Sequence, residues 1–344
     1  NPLFAKALLQ ELTAYRHFAA EIGPITAARL EAEAHRHSVS EVLAGFNRRY
    51  PFSLPFFNWR EEGSLLATAL DPKRTAGARL WGLDQEFFFS PVYHFVRLQE
   101  LAPDARARAV AQEFVEGTRG ELDRAAQSHD PGGAFVATAK PADFDRLDTA
   151  FRSASPEARR ILRALRESAA IYQKNLRGEV YANNAERAQL LKRNFMAALQ
   201  AARTTDPAPK MFFKFGAGHV MRGRSYTNVF DLGNFVAEVA ASQGRSSFHV
   251  LVMATGGTYN KYLPFVGNEA DKRKELVPAS TYFYADVQPF VAAADPPGLR
   301  VIDLRPLRPL LGTRALPNLP RGVSELITGF DAVVLLIVAH PATL

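Results

Sequence analysis

Apolar positions recur at helical spacing at the start of the chain, where Leu3, Ala7, Leu8 and Leu12 mark one face of an opening helix. The period then changes. Tyr15–Ile22 carries a short β-like run, His-Phe-Ala-Ala-Glu-Ile, which puts Glu21 near the end of a strand. Gly23-Pro24 breaks that strand, and a proline at a first helical position opens a second helix over Ile25–Arg36. Arg48–Trp59 is punctuated by prolines between Tyr50, Phe52, Phe56, Phe57 and Trp59, and reads as an aromatic loop that walls a pocket or caps the core, the cap being the commoner use of buried aromatics. Ala78–Phe89 repeats the first strand's pattern, with Ala-Arg-Leu-Trp-Gly-Leu running into Asp84-Gln-Glu86. Ser90-Pro91 then starts a helix to about Leu101.

From Pro103 to Arg203 helical periodicity dominates, interrupted at His129–Gly133 and Ser153–Pro156, which predicts about four helices and no strand. The last covers Glu186–Ala202. Lys210-Met-Phe-Phe-Lys-Phe reads as a buried strand delivering Gly216-Ala-Gly-His219 to its carboxyl end, and in open α/β sheets ligands bind at carboxyl ends. Beyond a Ser225–Asp231 loop follow a helix at Leu232–Ser242, strands at Phe248–Ala254, Leu299–Leu304 and Phe330–Val338, a plain turn at Thr255-Gly-Gly-Thr258, and a polar loop at Lys261–Glu275. Thr255–Thr258 lacks the spacing and the Lys-Ser/Thr of a phosphate loop. The rhythm predicts an α/β fold: a largely parallel sheet flanked by helices, in one domain over residues 1–344, with an inserted helical lobe over 90–205.

Composition narrows the function. Forty-two basic and 35 acidic residues leave +7, but the arginines are dispersed along helices among carboxylates, so solvated helix faces are expected and nucleic acid is not. There is no cysteine, which excludes disulfides, thiolate metal sites and a cysteine nucleophile. No run approaches the eighteen or so apolar residues of a membrane helix, so no transmembrane segment is expected. The chain opens on Asn1-Pro2, which fits an export signal removed upstream, a truncation or a disordered leader equally.

The candidate site is the set of polar residues at strand ends, namely Glu21, Asp84, Glu86 and His219, with Arg187 and Asn194 on the helix leading into the histidine strand. Imidazole to move a proton, a carboxylate to orient it and a guanidinium to stabilise an oxyanion make up an acid/base hydrolytic set. Residues two apart on a strand share a face only while the strand stays regular, so one of Asp84 and Glu86, rather than both, is expected beside His219. Asn194, Trp59 and Lys214 are candidate substrate contacts, with a small molecule or peptide as the substrate. No H-E-x-x-H spacing is present.

Five stretches together resemble the erythromycin esterase-like superfamily, which includes ChaN-like haem-binding lipoproteins and Tiki-type metallopeptidases. They are Leu3 through His17-Phe-Ala-Ala-Glu21, Trp81-Gly-Leu-Asp84-Gln-Glu86, Arg187 to Asn194, Gly216-Ala-Gly-His219 and Phe330-Asp-Ala-Val-Val. The resemblance implies that Glu21 matches the glutamate ending a strand and His219 the late histidine. It also implies that an apolar run ending in Gly-x-x-His precedes Asn1. Erythromycin esterases carry a late His-Asn-x-His, whereas Gly216 stands at its first position here, closer to the other branches. The expected function is a hydrolase of ester or amide bonds with no required cofactor; the alternatives are a haem- or metal-binding protein and a peptidase dependent on a divalent metal.

Overall fold

The computed structural model describes residues 1–71, 79–128, 130–261, 275–278, 289–290, 299–316, 318–336 and 338–343. They cluster into two compact units, one spanning Pro2–Lys214 and the other formed by described residues between Phe215 and Thr343.

In the first unit, β1 (His17–Ala20), β2 (Arg79–Gly82) and β3 (Met211–Lys214) form a parallel sheet in the order β2-β1-β3. The register aligns Ala20 with Gly82 on one side and Lys214 on the other, so the three strands end level. Every residue of β1 is buried, as a central strand covered on both faces requires. Helix α1 (Pro2–Glu11) precedes β1, and α2 (Pro24–Ala34) begins at the proline after it. Helix α2 packs flush on β2: a Cβ on Gly82 would lie 2.7 Å from the Ala27 Cβ and overlap the Gly23 carbonyl.

Two further helices, α3 (Val39–Arg49) and α4 (Arg60–Ala69), flank the aromatic loop and are additional to the expected elements. Between them Tyr50, Phe52 and Phe57 are buried in the main apolar cluster, and Phe52 and Phe57 have positive φ angles of 63° and 69°. Such bulky residues hold a left-handed backbone only where burial over-determines it. The loop is thus a cap on the core.

Between β2 and β3 all described regular elements are helical: α5 (Pro91–Glu100), α6 (Ala105–Ser128), α7 (Phe135–Thr138), α8 (Pro141–Ala150), α9 (Pro156–Leu176) and α10 (Val180–Arg203). From Pro103 onward that makes five helices among the described residues where about four are expected, the extra one being the single turn α7. Helix α9 shows why such segments fold: Ser155 caps its start by accepting from Ala158 N, and Ala158, Ile161, Leu162, Leu165, Ala169 and Tyr172 bury one face.

The second unit contains α11 (Ala217–Val220), α12 (Leu232–Ala241), β4 (Val250–Ala254), β5 (Thr258–Lys261), β6 (Glu275–Pro278), β7 (Leu299–Asp303), α13 (Arg321–Gly329) and β8 (Ala332–Leu336). Its sheet runs β4-β8-β7, with β4 parallel and β7 antiparallel to the buried β8. Strand β7 alternates exposed and half-buried positions, as an edge strand does. The fold is α/β, with its parallel pairing divided between two three-stranded sheets. The polar loop expected over Lys261–Glu275 falls at residues 262–274 outside the described residues, but its flanks pair, β5 running antiparallel to β6. At the expected turn, Gly257 has φ +81° and an added Cβ would lie 2.6 Å from Ala339 N, so both conformation and space demand glycine. Among the described residues no helix is long and apolar enough to cross a membrane.

Candidate functional site

The level ends of the parallel sheet bring carboxylates together because Glu21 follows β1 by one residue and Asp84 follows β2 by two. Helix α10 supplies the cation between them. Arg187 donates from Nε to Asp84 Oδ1 at 2.9 Å, from Nη2 to the other Asp84 oxygen, and from Nη2 to Glu21 Oε1 at 3.0 Å. Seven residues on, two helical turns along the same face, Asn194 donates to the Leu83 carbonyl at 2.8 Å. The two side chains thus anchor α10 to the end of β2.

Burial disfavours the Arg187 charge, but Asp84 and then Glu21 more than offset it, so its pKa lies above the ordinary arginine value. Two carboxylates sharing one guanidinium leave the trio one negative charge in excess. Beside it Tyr172 is almost wholly buried; that burial, opposed by its hydrogen bond with Gln85 and reinforced by Asp84, pushes the phenol pKa up and keeps it neutral.

The other expected residues in this unit have different surroundings. Glu86 is fully buried and accepts hydrogen bonds from Ile25 N at 2.8 Å and Thr26 Oγ1 at 2.5 Å, while its own N–H donates to Ser168 Oγ. His94 Nε2 lies 3.0 Å from the carboxylate, off the line of a hydrogen bond. Glu86 therefore anchors the start of α2, whereas Asp84, two residues earlier, holds Arg187. Trp59 is buried at the N-cap of α4. Lys214 ends β3 with its Nζ 5.1 Å from the centre of the Phe56 ring and 4.0 Å from Glu62 Oε1.

In the second unit His219 sits on the short turn α11, five residues beyond the last residue of β3 in sequence. Its Nδ1 is 2.8 Å from Asp231 Oδ2. Asp231 is 1% exposed, and its other oxygen accepts from Leu232 N at 2.7 Å, capping α12. An ionised carboxylate only accepts, so the ring donates this hydrogen bond from its Nδ1–H. Asp231 closes the loop expected over Ser225–Asp231, and an aspartate directly before a helical run is the signal for its capping role.

A second buried carboxylate, Asp331, precedes β8. It accepts from Arg222 Nη2 at 2.8 Å, Arg308 Nη2 at 2.9 Å and His249 N at 2.7 Å. Burial raises its pKa, but those three donors outweigh burial and hold it below the ordinary aspartate value. This network stands at the amino ends of β4 and β8, where α/β folds place stabilising rather than ligand-binding groups.

Among the described residues no three His, Asp or Glu side chains converge to hold a metal ion. Glu21 and Asp84 are engaged by Arg187, and Asp231 by His219 and a helix start. Two open cavities, of about 380 and 510 Å³, lie among the helices of the first unit. Neither is lined by any residue of these clusters; the second is lined by Glu121, Arg124 and Asp130 among others.

No protein-family model and no curated protein matches the chain. Two solved structures are similar to it. One is a histidine-to-asparagine mutant of erythromycin esterase EreC in its open conformation, with a TM-score of 0.59 and 13% identity over 97% of this chain and 85% of that one. The other is a succinoglycan biosynthesis protein, with a TM-score of 0.53 and 13% identity over 99% of this chain and 83% of that one. At that identity the likeness speaks for architecture, which agrees with the resemblance in the motifs. The chain has an erythromycin esterase-like fold.

Proposed function

We propose that the chain is a hydrolase of ester or amide bonds in which His219 transfers the proton. The observation that carries this reading is the 2.8 Å contact between His219 Nδ1 and the buried Asp231 carboxylate. Asp231 orients the ring and stabilises the imidazolium. Nε2 takes a proton from water as the hydroxide adds to the carbonyl carbon, then returns it to the leaving alcohol or amine as the tetrahedral intermediate collapses. The esterase among the structures of like fold supports hydrolysis and leaves the substrate open, since one fold hosts many chemistries.

The test is a panel of simple esters and amides with wild type, His219→Ala and Asp231→Asn. His219→Ala removes no large apolar group, so its melting temperature should stay near wild type while the rate falls by about 10²–10⁴. Unchanged turnover per folded molecule would end the reading. A wild-type protein inert on the whole panel that co-purifies with haem, seen as Soret absorbance, or with a divalent metal would favour the binding alternative.

A further inference from the structure

Val220, the residue after His219, ends the single turn α11, and the chain leaves it extended at Met221, with φ −67° and ψ 139°. A helix leaves its last carbonyls without helical partners. Here a second histidine meets one of them, since His249 Nδ1 lies 2.6 Å from the Val220 carbonyl oxygen. A carbonyl only accepts, so His249 donates from Nδ1–H. The His249 ring is buried, and its Nε2 is 2.8 Å from Ser247 Oγ. Burial lowers its pKa from the ordinary histidine value, against the bond to Val220 and with the help of Arg222, so the ring is neutral at pH 7 and Nε2 accepts from the Ser247 hydroxyl. Its main chain is tied on both sides to Asp331, with His249 N donating to Asp331 Oδ2 and Asp331 N donating to the His249 carbonyl, each at 2.7 Å.

Helix α12 closes on the same residue. A Cβ added to Gly233 would lie 2.2 Å from the Val220 carbonyl carbon and oxygen, so the first turn of α12 rests directly on that backbone. Asp231, two residues before Gly233, is the partner of His219. One helix start therefore supplies both the carboxylate that holds the ring and the surface on which the turn behind the ring lies. The chain beyond the turn is pinned as well: Arg222 N donates to the Gly329 carbonyl at 3.0 Å, and Gly223 N donates to Asn234 Oδ1 at 2.9 Å. A rotation of α11 that carried His219 off Asp231 would strip the buried His249 N–H of its acceptor.

We propose that His249 is a positioning residue for the His219–Asp231 pair, its Nδ1–H fixing the Val220 carbonyl so that α11 presents the His219 ring to Asp231 in one orientation. This rests on the hydrolase reading of the pair and adds the group that sets its geometry. The two histidines then divide the work. His219 moves the proton, and His249 stays neutral and holds the backbone one residue away.

The experiment has a readout that needs no substrate. Long-range proton–nitrogen NMR spectra of histidine-labelled protein at about pH 9, above the ordinary histidine pKa of about 6.5, show which ring nitrogen of His219 carries the proton, and His219→Ala identifies its signals. In wild type the proton should stay on Nδ1. His249→Ala should leave the His219 ring averaged between its two tautomers and lower kcat by about 10–10²-fold at nearly constant KM, on whichever ester or amide wild type turns over. An asparagine amide places an N–H near the position of Nδ1, whereas a glutamine amide places one near that of Nε2, so His249→Asn should retain the fixed tautomer and most of kcat and His249→Gln should not. Where the alanine variant fails to fold, the comparison of asparagine with glutamine decides. A His219 ring already averaged in wild type, a ring still fixed in His249→Ala, or asparagine and glutamine variants that behave alike overturns the proposal. A wild type inert on every ester and amide ends the hydrolase reading alone, and the spectra still decide the positioning.

Discussion

Gly23→Ala should destabilise the first unit strongly although alanine suits the backbone there. Gly23 is the N-cap of α2 with φ −67° and ψ 150°, an ordinary extended conformation. On chain entropy alone the change should stabilise by about 0.4–1 kcal/mol. The added Cβ, however, would overlap the Glu86 carboxylate, which is fully buried and held by Ile25 N and Thr26 Oγ1. Either the carboxylate leaves those two donors, at about 1.5–3 kcal/mol for each bond to a charged acceptor, or α2 shifts outward. The expected net loss is about 3–5 kcal/mol, opposite in sign to the entropic term.

A double-mutant cycle with Glu86→Ala isolates the cause. Removing the carboxylate opens room for the new methyl, so the double variant should be more stable than the sum of the singles by about 2 kcal/mol. Urea unfolding followed by tryptophan fluorescence reads this unit alone, because the chain's two tryptophans, Trp59 and Trp81, both belong to it. Additivity within about 0.5 kcal/mol would show that the glycine and the carboxylate do not compete for one volume, and would refute the reasoning.

Three other perturbations test separate parts of the structure. Asp331→Asn should cost about 3 kcal/mol in urea unfolding, since Arg222 and Arg308 lose the charge they share; a loss under about 0.5 kcal/mol would reduce the network to surface decoration. Glu121 is pushed up to about 7, chiefly by burial, with Arg124 and the Phe135 N–H opposing it and Asp143 reinforcing it. Its native pKa therefore exceeds the unfolded value, so its contribution is fully present below about pH 4.5 and is lost as pH rises through 7, by at most about 1.4 kcal/mol per pH unit. Glu121→Gln should flatten that slope, and a slope unchanged in the variant would contradict the assignment. Gly257→Ala combines a left-handed backbone with a collision on Ala339, and should lower stability by about 2–4 kcal/mol in circular-dichroism melts; a neutral result would mean that strand β8's exit does not pass against this turn.

The parts of the molecule legible in the sequence are those governed by a regular period. Burial of β1 on both faces and the level ends of three parallel strands follow from short apolar runs, and they put Glu21 and Asp84 at one edge. The seven-residue interval between Arg187 and Asn194 places both on one face of α10, so the helix meets that edge with both side chains. What escaped the pattern lies where the period stops. Helix α3 is an exception: it carries Val39, Val42, Leu43 and Phe46 at helical spacing and a full capping box, Ser38 with Glu41, so both signals announce it. Beyond Gly82 the backbone is irregular, so two-residue spacing no longer fixes direction, and Asp84 and Glu86 part company.

Asp231, Glu86 and Asp331 share one further reason for being hard to read. Each is a buried carboxylate that accepts a backbone N–H, from Leu232, Ile25 and His249 respectively, as well as a side-chain partner. In sequence such a residue looks like any other acid, because its partner is a main-chain group with no letter of its own. Whether a buried acid acts chemically or structurally then depends on the second partner. For Glu86 and Asp331 that partner adds to an internal anchor, Thr26 in one case and two arginines in the other. For Asp231 it is an imidazole, a side-chain type suited to acid–base chemistry, and this chemical difference makes His219–Asp231 the pair on which to spend the first mutagenesis.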